Sequence, residues 1–205
     1  MLSLRRQHGV SLIELMVVVT IAGIALAVAI PSFGNWLAGT RVRSTAEGLL
    51  AGLQYAKSEA TSRNTQVRFQ LTDTLDASCQ LSTTGLNWVV DLVDANASAD
   101  LVTNACNADP DDSTAPSMLM KRANEVGNGP SVVASVNQVV FNGLGRQVVV
   151  APATTTSTVT INISSTAGAC AADGGPITCL RILVSPAGQI RMCNPKLASS
   201  DPQGC

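Results

Sequence analysis

Glu14 is the residue whose chemistry asks most of its surroundings. It stands at the mouth of an apolar run in which, from Leu15 to Ile30, only Thr20 and Gly23 interrupt the hydrophobic residues. A carboxylate inside a bilayer costs roughly 2.5–3.5 kcal/mol or more, so it needs a cationic partner and marks a function. Ion pairing, rather than proton transfer, is the chemistry this position offers. Cys79, Cys106, Cys170, Cys179, Cys193 and Cys205 form the second reactive set. They are even in number, all lie beyond the apolar run, and include no C-x-x-C pair. In an oxidising compartment that pattern points to disulfides rather than metal ligands. Six cysteines allow fifteen connectivities. Closeness in sequence favours Cys79–Cys106, Cys170–Cys179 and Cys193–Cys205.

Two charged groups complete the inventory. Asp109, Asp111 and Asp112 could ligate Ca²⁺, but the tract lacks the glycine and glutamate positions of an EF-hand loop and reads as solvated surface. From Arg181 onward Arg181, Arg191 and Lys196 face only Asp201, a basic tail on a chain of formal charge −1.

The elements that must carry these residues are legible from periodicity. From Val10 the apolar run is long enough to cross a hydrocarbon core, which takes about 20 residues. Arg5, Arg6 and His8 precede it without an acid, so the N-terminus is expected on the cytoplasmic side and the bulk of the chain outside. Beyond Pro31 the pattern becomes amphipathic. Val42, Ala46, Leu49, Leu50, Leu53, Ala56 and Ala60 recur at spacings of three and four, one face of a helix. Arg43 with Glu47 and Glu59 with Arg63 are i,i+4 pairs on the other side. One helix is therefore expected from about Val10 to Arg63, kinked near Pro31 and ending at Asn64, which tolerates a left-handed conformation. Its apolar half covers 10–33 and its amphipathic half 34–64.

Residues 65–205 read as one β-rich head, large enough to bury a core against the amphipathic half-helix. The expected strands are Gln66–Leu71, Asn87–Asp94, Met118–Arg122, Gln138–Phe141, Gln147–Val150, Val159–Ser164, Leu180–Ser185 and Gln189–Cys193. Asn142-Gly143-Leu144-Gly145 and Pro186-Ala187-Gly188 are expected hairpin turns. Ala95–Pro116 and Ala167–Pro176 are expected loops, tied down by Cys106 and by Cys170 with Cys179.

Gly9-Val10-Ser11-Leu12-Ile13-Glu14, behind a short basic leader and ahead of an apolar helix, resembles the class III signal of type IV pilins and of type II secretion pseudopilins. The resemblance implies that a prepilin peptidase removes residues 1–9, cutting between Gly9 and Val10. It further implies that Val10 is N-methylated and that Glu14, fifth in the mature chain, meets the amine of a neighbouring subunit. Val10 departs from the family's usual Phe.

Within that group, Val140–Arg146, Ser185–Cys193 and Leu53–Ala60 resemble tracts of the FimT/FimU/GspH minor pilins and pseudopilins. Gln189 departs from the Gly-Arg-x-Arg pattern of the last strand. The implied fold class is α+β, type IV pilin-like: a long N-terminal helix packed on a mostly antiparallel, β-rich head. The implied function is that of a minor pilin in pilus assembly or initiation, a single-pass inner-membrane protein with its head in the periplasm or on the pilus surface. The implied partners are the peptidase, other pilins or pseudopilins, and the membrane. A type II secretion pseudopilin is the alternative. DNA is a further partner through Arg181, Arg191 and Lys196, as in family members linked to DNA uptake.

Enzyme chemistry finds little support. His8 is the only histidine, and it lies in the expected leader. The mature chain would have no Ser-His-Asp triad, Cys-His dyad or His-containing zinc site. Gly143 and Gly145 lack the third glycine of a dinucleotide fingerprint, and no Walker-type Gly-Lys-Ser/Thr occurs. No cofactor or metal is expected. Without Arg5 and Arg6 the net charge falls to about −3, against bulk-charge binding of nucleic acid.

Overall fold

The computed structural model describes residues 11–93, 102–114, 116–124, 126, 129–150 and 153–205, and of residues 28–32 the backbone alone. Leader residues 1–9 and Val10 lie outside the described residues. One helix, α1, runs from Leu12 to Arg63, and its backbone continues across Pro31. Ser11 caps its start, the hydroxyl accepting the Glu14 backbone N–H at 3.2 Å. At its end Asn64 takes the left-handed conformation (φ 50°, ψ 41°) and donates its N–H to Ala60 O. Both expected i,i+4 pairs form, Arg43–Glu47 at 2.8 Å and Glu59–Arg63 at 2.7 Å. Among the described residues no helix is long and apolar enough to cross a membrane. The side chains of 28–32, which complete the apolar run of the sequence, are outside that description.

Among the described residues nine strands follow: β1 Val67–Thr72, β2 Asn87–Leu92, β3 Met118–Arg122, β4 Pro130–Ala134, β5 Gln138–Phe141, β6 Gln147–Val148, β7 Val159–Ser165, β8 Leu180–Val184 and β9 Ile190–Cys193. They form two sheets, one ordered β3-β2-β1-β5-β6 and the other β4-β7-β8-β9. Every strand pairing is antiparallel. The eight expected strands are present with ends shifted by a residue or two. β4 is not among the expected strands; Pro130 opens it, and proline argues against a central strand. Its place at the edge of the second sheet resolves the conflict, since an edge strand can spare an N–H.

The helix packs on both sheets. Val42, Ala46, Leu49, Leu53, Ala56 and Ala60 all bury to 1% or less of their surface, while Leu50 sits half-buried at the margin. Against them lie Val67, Phe69 and Leu71 of β1, Trp88 and Val90 of β2, Ile161 and Ile163 of β7, and Ile182 and Val184 of β8. Gly52 lets the helix lie close to the first sheet, because a Cβ there would stand 2.8 Å from Phe69 and 3.0 Å from Trp88. Those two rings stack at 5.7 Å.

The far face of the first sheet is covered too. Arg68, Gln70 and Asp91, on the side of β1 and β2 away from α1, are buried rather than solvated. Arg68 pairs with Asp91, and Gln70 Nε2 donates to Asp91 Oδ1 at 2.7 Å. Beside them a second small core gathers Val89, Val102, Met118 and the bonded Cys79 and Cys106. Lys121 fastens its rim, Nζ donating to the main-chain oxygens of Cys106, Asn107 and Ala108 at 3.3, 3.0 and 2.6 Å.

Candidate assembly site

The front of α1 is exposed on all sides. Leu12, Ile13, Leu15, Met16, Val17, Val18, Val19, Ile21, Ile24 and Leu26 are each more than half exposed. A helix apolar around its whole circumference belongs in lipid or in a bundle of like helices. Glu14 sits in its first turn, where the positive end of the helix dipole favours a carboxylate. Ser11 with Glu14 is the Ser-x-x-Glu pattern of a capping box, whose serine arm is formed. That role of Ser11 is absent from the sequence reading above, although the spacing was in plain view. The only other polar side chain between Ser11 and residue 28, Thr20, returns its hydroxyl to Met16 O at 3.0 Å and Val17 O at 2.8 Å. This hides its hydrogen-bonding capacity within the helix. Gly9 and Val10, the expected cleavage pair, lie outside the described residues.

The rear of α1 carries a second locus. Lys57 Nζ donates to Gly188 O at 2.8 Å. Gly188 (φ 81°) lies so close to Gly145 that a Cβ would overlap its carbonyl oxygen, and a Cβ on Gly145 would lie 2.9 Å from Lys57 Cε. The turn between β5 and β6 is knit by Asn142 Oδ1, which accepts the N–H groups of Leu144 and Arg146 at 3.0 Å each. Across the gap Gln147 N donates to Pro186 O at 3.2 Å. The helix tract Leu53–Ala60 and the two hairpin tracts, distant in sequence, thus meet at one point. There the two sheets are joined to each other and to the helix.

The cysteines come together as Cys79–Cys106, Cys170–Cys179 and Cys193–Cys205. The last pair closes a loop that folds back on β9, with Asn194 N donating to Gln203 O at 2.7 Å. The three basic residues do not form an open cluster. Arg181 is half-buried, and its Nε donates to Asn162 Oδ1 at 2.6 Å. Arg191 donates to the main-chain oxygens of Gly204 and Cys205 at 3.2 and 3.3 Å. Lys196 is exposed on the loop.

In the acidic tract, Asp111 accepts bonds from Ser113 and Thr114. The Ser113 and Thr114 hydroxyls and the Ser113 N–H hold its carboxyl down to about 2. Asp112 bonds Arg63 at 2.7 Å. Among the described residues no cluster of His, Cys, Asp and Glu could hold a metal ion.

A long N-terminal helix, apolar and bare in front and buried along one face behind, on an antiparallel two-sheet head, is a type IV pilin-like fold. The chain belongs to the family described as type II transport protein GspH, which matches residues 45–194. The prokaryotic N-terminal methylation motif matches residues 4–30, a stretch that contains Gly9, Val10 and Glu14. Three solved structures are similar. Two crystal forms of the type IV minor pilin FimU from Pseudomonas aeruginosa strain PAO1 share 22% and 23% identity, with TM-scores of 0.48 and 0.45. They cover 81% and 80% of this chain, and 96% and 98% of their own. The solution structure of GspH from E. coli shares 16% identity, with a TM-score of 0.42, over 81% of this chain and 95% of its own. No curated protein matches by sequence.

Proposed function

We propose that this chain is a minor subunit of a type IV pilus, and that the front of α1 is its assembly surface. Prepilin peptidase cuts between Gly9 and Val10 and the new amine of Val10 is methylated. Residues 10–33 then hold the subunit in the inner membrane with the head, residues 65–205, in the periplasm. During assembly the apolar front leaves lipid for a bundle of like helices. Glu14 sets register there by pairing with the methylated amine of a neighbour, since such a pair is worth far more in a dry bundle than in water. The head has a scaffold's role and no catalytic one.

One observation carries this reading: residues 12–26 are apolar and exposed around the whole helix, with a single carboxylate in the first turn. The matched family's description favours a second reading, a pseudopilin of type II secretion. Deletion of the gene, complemented with wild type or with Glu14→Ala, separates the two. Loss of surface pili with secretion intact, restored only by wild type, supports the pilus. Loss of secretion with pili intact supports the pseudopilus, and an effect on neither overturns both.

A further inference from the structure

Phe33 and Trp36 are 63% and 64% exposed, yet their rings lie against each other at 5.7 Å. Large aromatic side chains are seldom left bare on a chain with so few, and here they fall one helical turn apart at the end of the apolar stretch. Their height along the helix is informative. At about 1.5 Å per residue, Phe33 lies about 28 Å and Trp36 about 33 Å beyond Glu14. A hydrocarbon core is about 30 Å thick. With Glu14 at one boundary, the aromatic pair therefore falls at the other, the depth that amphipathic rings such as Trp prefer.

The helix face above the pair leads to the underside of the head. Trp36, Thr40 and Arg43 follow Phe33 along one stripe, and Thr40 keeps its hydroxyl on Trp36 O at 3.0 Å. Between this stripe and the Cys170–Cys179 loop lies a groove of about 500 Å³, lined by Asn35, Trp36, Thr40, Arg43, Pro176 and Thr178. Its lining mixes apolar Trp36, Pro176 and Leu180 with polar Asn35, Thr40, Arg43 and Thr178.

We infer that Phe33 and Trp36, with the groove above them, form a collar seated among the phospholipid headgroups of the outer leaflet, which sets the depth of the unassembled subunit and holds its head against the membrane. The inference rests on the membrane anchoring proposed above. Lipid is the occupant the geometry supports, because residues 12–26 are bare around the whole helix and the collar closes that stretch at bilayer thickness. A helix neighbour would cover one side only.

The full-length chain, reconstituted into phosphatidylethanolamine–phosphatidylglycerol vesicles, provides the test. Trp88 is the only other tryptophan and is buried. Trp88→Phe isolates Trp36 emission; if that variant misfolds, the wild-type spectrum less that of Trp36→Phe gives the same signal. With lipids brominated at stepped depths, we expect blue-shifted Trp36 emission. Quenching should be several-fold stronger for bromines near the headgroup than for those near the bilayer centre. Phe33→Ala should raise acrylamide quenching of Trp36 without changing the unfolding temperature of the head.

A chain that floats with the vesicles yet leaves Trp36 open to acrylamide and untouched by bromine overturns the inference and spares the anchoring. Strongest quenching by deep bromines also overturns it, since the ring would then lie in hydrocarbon. Blue-shifted emission that no brominated lipid quenches points to a neighbouring subunit as the occupant and refutes the lipid assignment. Failure to float overturns the anchoring, and the collar with it.

Discussion

The two halves of α1 share one backbone and solve the burial of apolar side chains in opposite ways. In the rear half Leu49 and Leu53 are 1% and 0% exposed, satisfied by sheets of the same chain. In the front half Leu12 and Ile24 are 76% and 69% exposed, with nothing among the described residues to cover them. Fully burying such a side chain contributes about 1.5–3 kcal/mol. The rear half has already spent that free energy on folding; the front half keeps it for other molecules. Stability and assembly are thus assigned to different stretches of one helix, and substitutions should separate them.

Processing at the front end should give the largest effect. A side chain at Gly9 would obstruct the scissile bond, so Gly9→Val should accumulate entirely as membrane precursor, while the head folds as before. Mass spectrometry of the wild-type mature protein should begin at methylated Val10. An amino terminus at or beyond Ala25 would remove the front half from the mature protein and end the comparison. Next comes Glu14→Ala, which takes away one member of a charge pair and strands its partner in a dry bundle; breaking such a pair costs about 3–5 kcal/mol. Cleavage should be normal and incorporation into filaments should fall to a small fraction. Incorporation at the wild-type level would reduce Glu14 to an interfacial carboxylate.

Paired substitutions within the helix sharpen the contrast at smaller scale. Leu53→Ala should destabilise the head by about 2–5 kcal/mol in chemical unfolding, whereas Leu15→Ala should leave that unfolding unchanged. Glycines should split the same way. Gly39 has open space around it, so Gly39→Ala should be neutral or stabilising by up to about 1 kcal/mol. Gly52→Ala meets the buried rings of Phe69 and Trp88 and should instead cost about 1–3 kcal/mol from overpacking. At the junction of the two sheets, Gly188→Ala would meet backbone rather than a side chain. Its cost should exceed the about 1–2 kcal/mol of a left-handed alanine alone.

What could be foreseen follows the same division. The rear stripe, the Asn64 cap and both i,i+4 pairs were legible because each is a local relation set by a 3.6-residue period. The short-range cysteine pairing was the one that closeness favoured. Harder to see was anything that depends on what lies over a strand. Arg68, Gln70 and Thr72 alternate with Val67, Phe69 and Leu71 as a half-solvated strand should. Yet all three are buried, and Asp91 answers the buried Arg68. β4 opens on a proline, a feature that becomes innocuous only once the strand is known to lie at an edge. The meeting of Lys57, Gly145 and Gly188 joins segments far apart in sequence, and no period or spacing announces it. Arg181 is half-buried on Asn162 for the same reason, while Arg191 is exposed and bonds the main chain near Cys205.

Those partners set the smallest expected effect. DNA held through phosphates alone needs cations free to face it, and each phosphate neutralised on duplex DNA adds about 0.9 to the salt slope of binding. Arg181 is half-buried and engaged by Asn162 at 2.6 Å, and Arg191, though exposed, gives its guanidinium donors to Gly204 and Cys205, which leaves Lys196 as the exposed cation of the three without such a bond among the described residues. One such contact gives little affinity, and Gln189 stands where the family pattern has a further arginine. Full-length protein in a neutral detergent should therefore not retard duplex DNA even at low ionic strength. Arg191→Gln with Lys196→Gln should be indistinguishable from wild type in that assay and in pilus assembly. A low-salt shift that the double variant loses, and that weakens steeply as salt rises, would show that the basic tail opens in solution. The head would then have, like the front half of α1, a surface kept for another molecule.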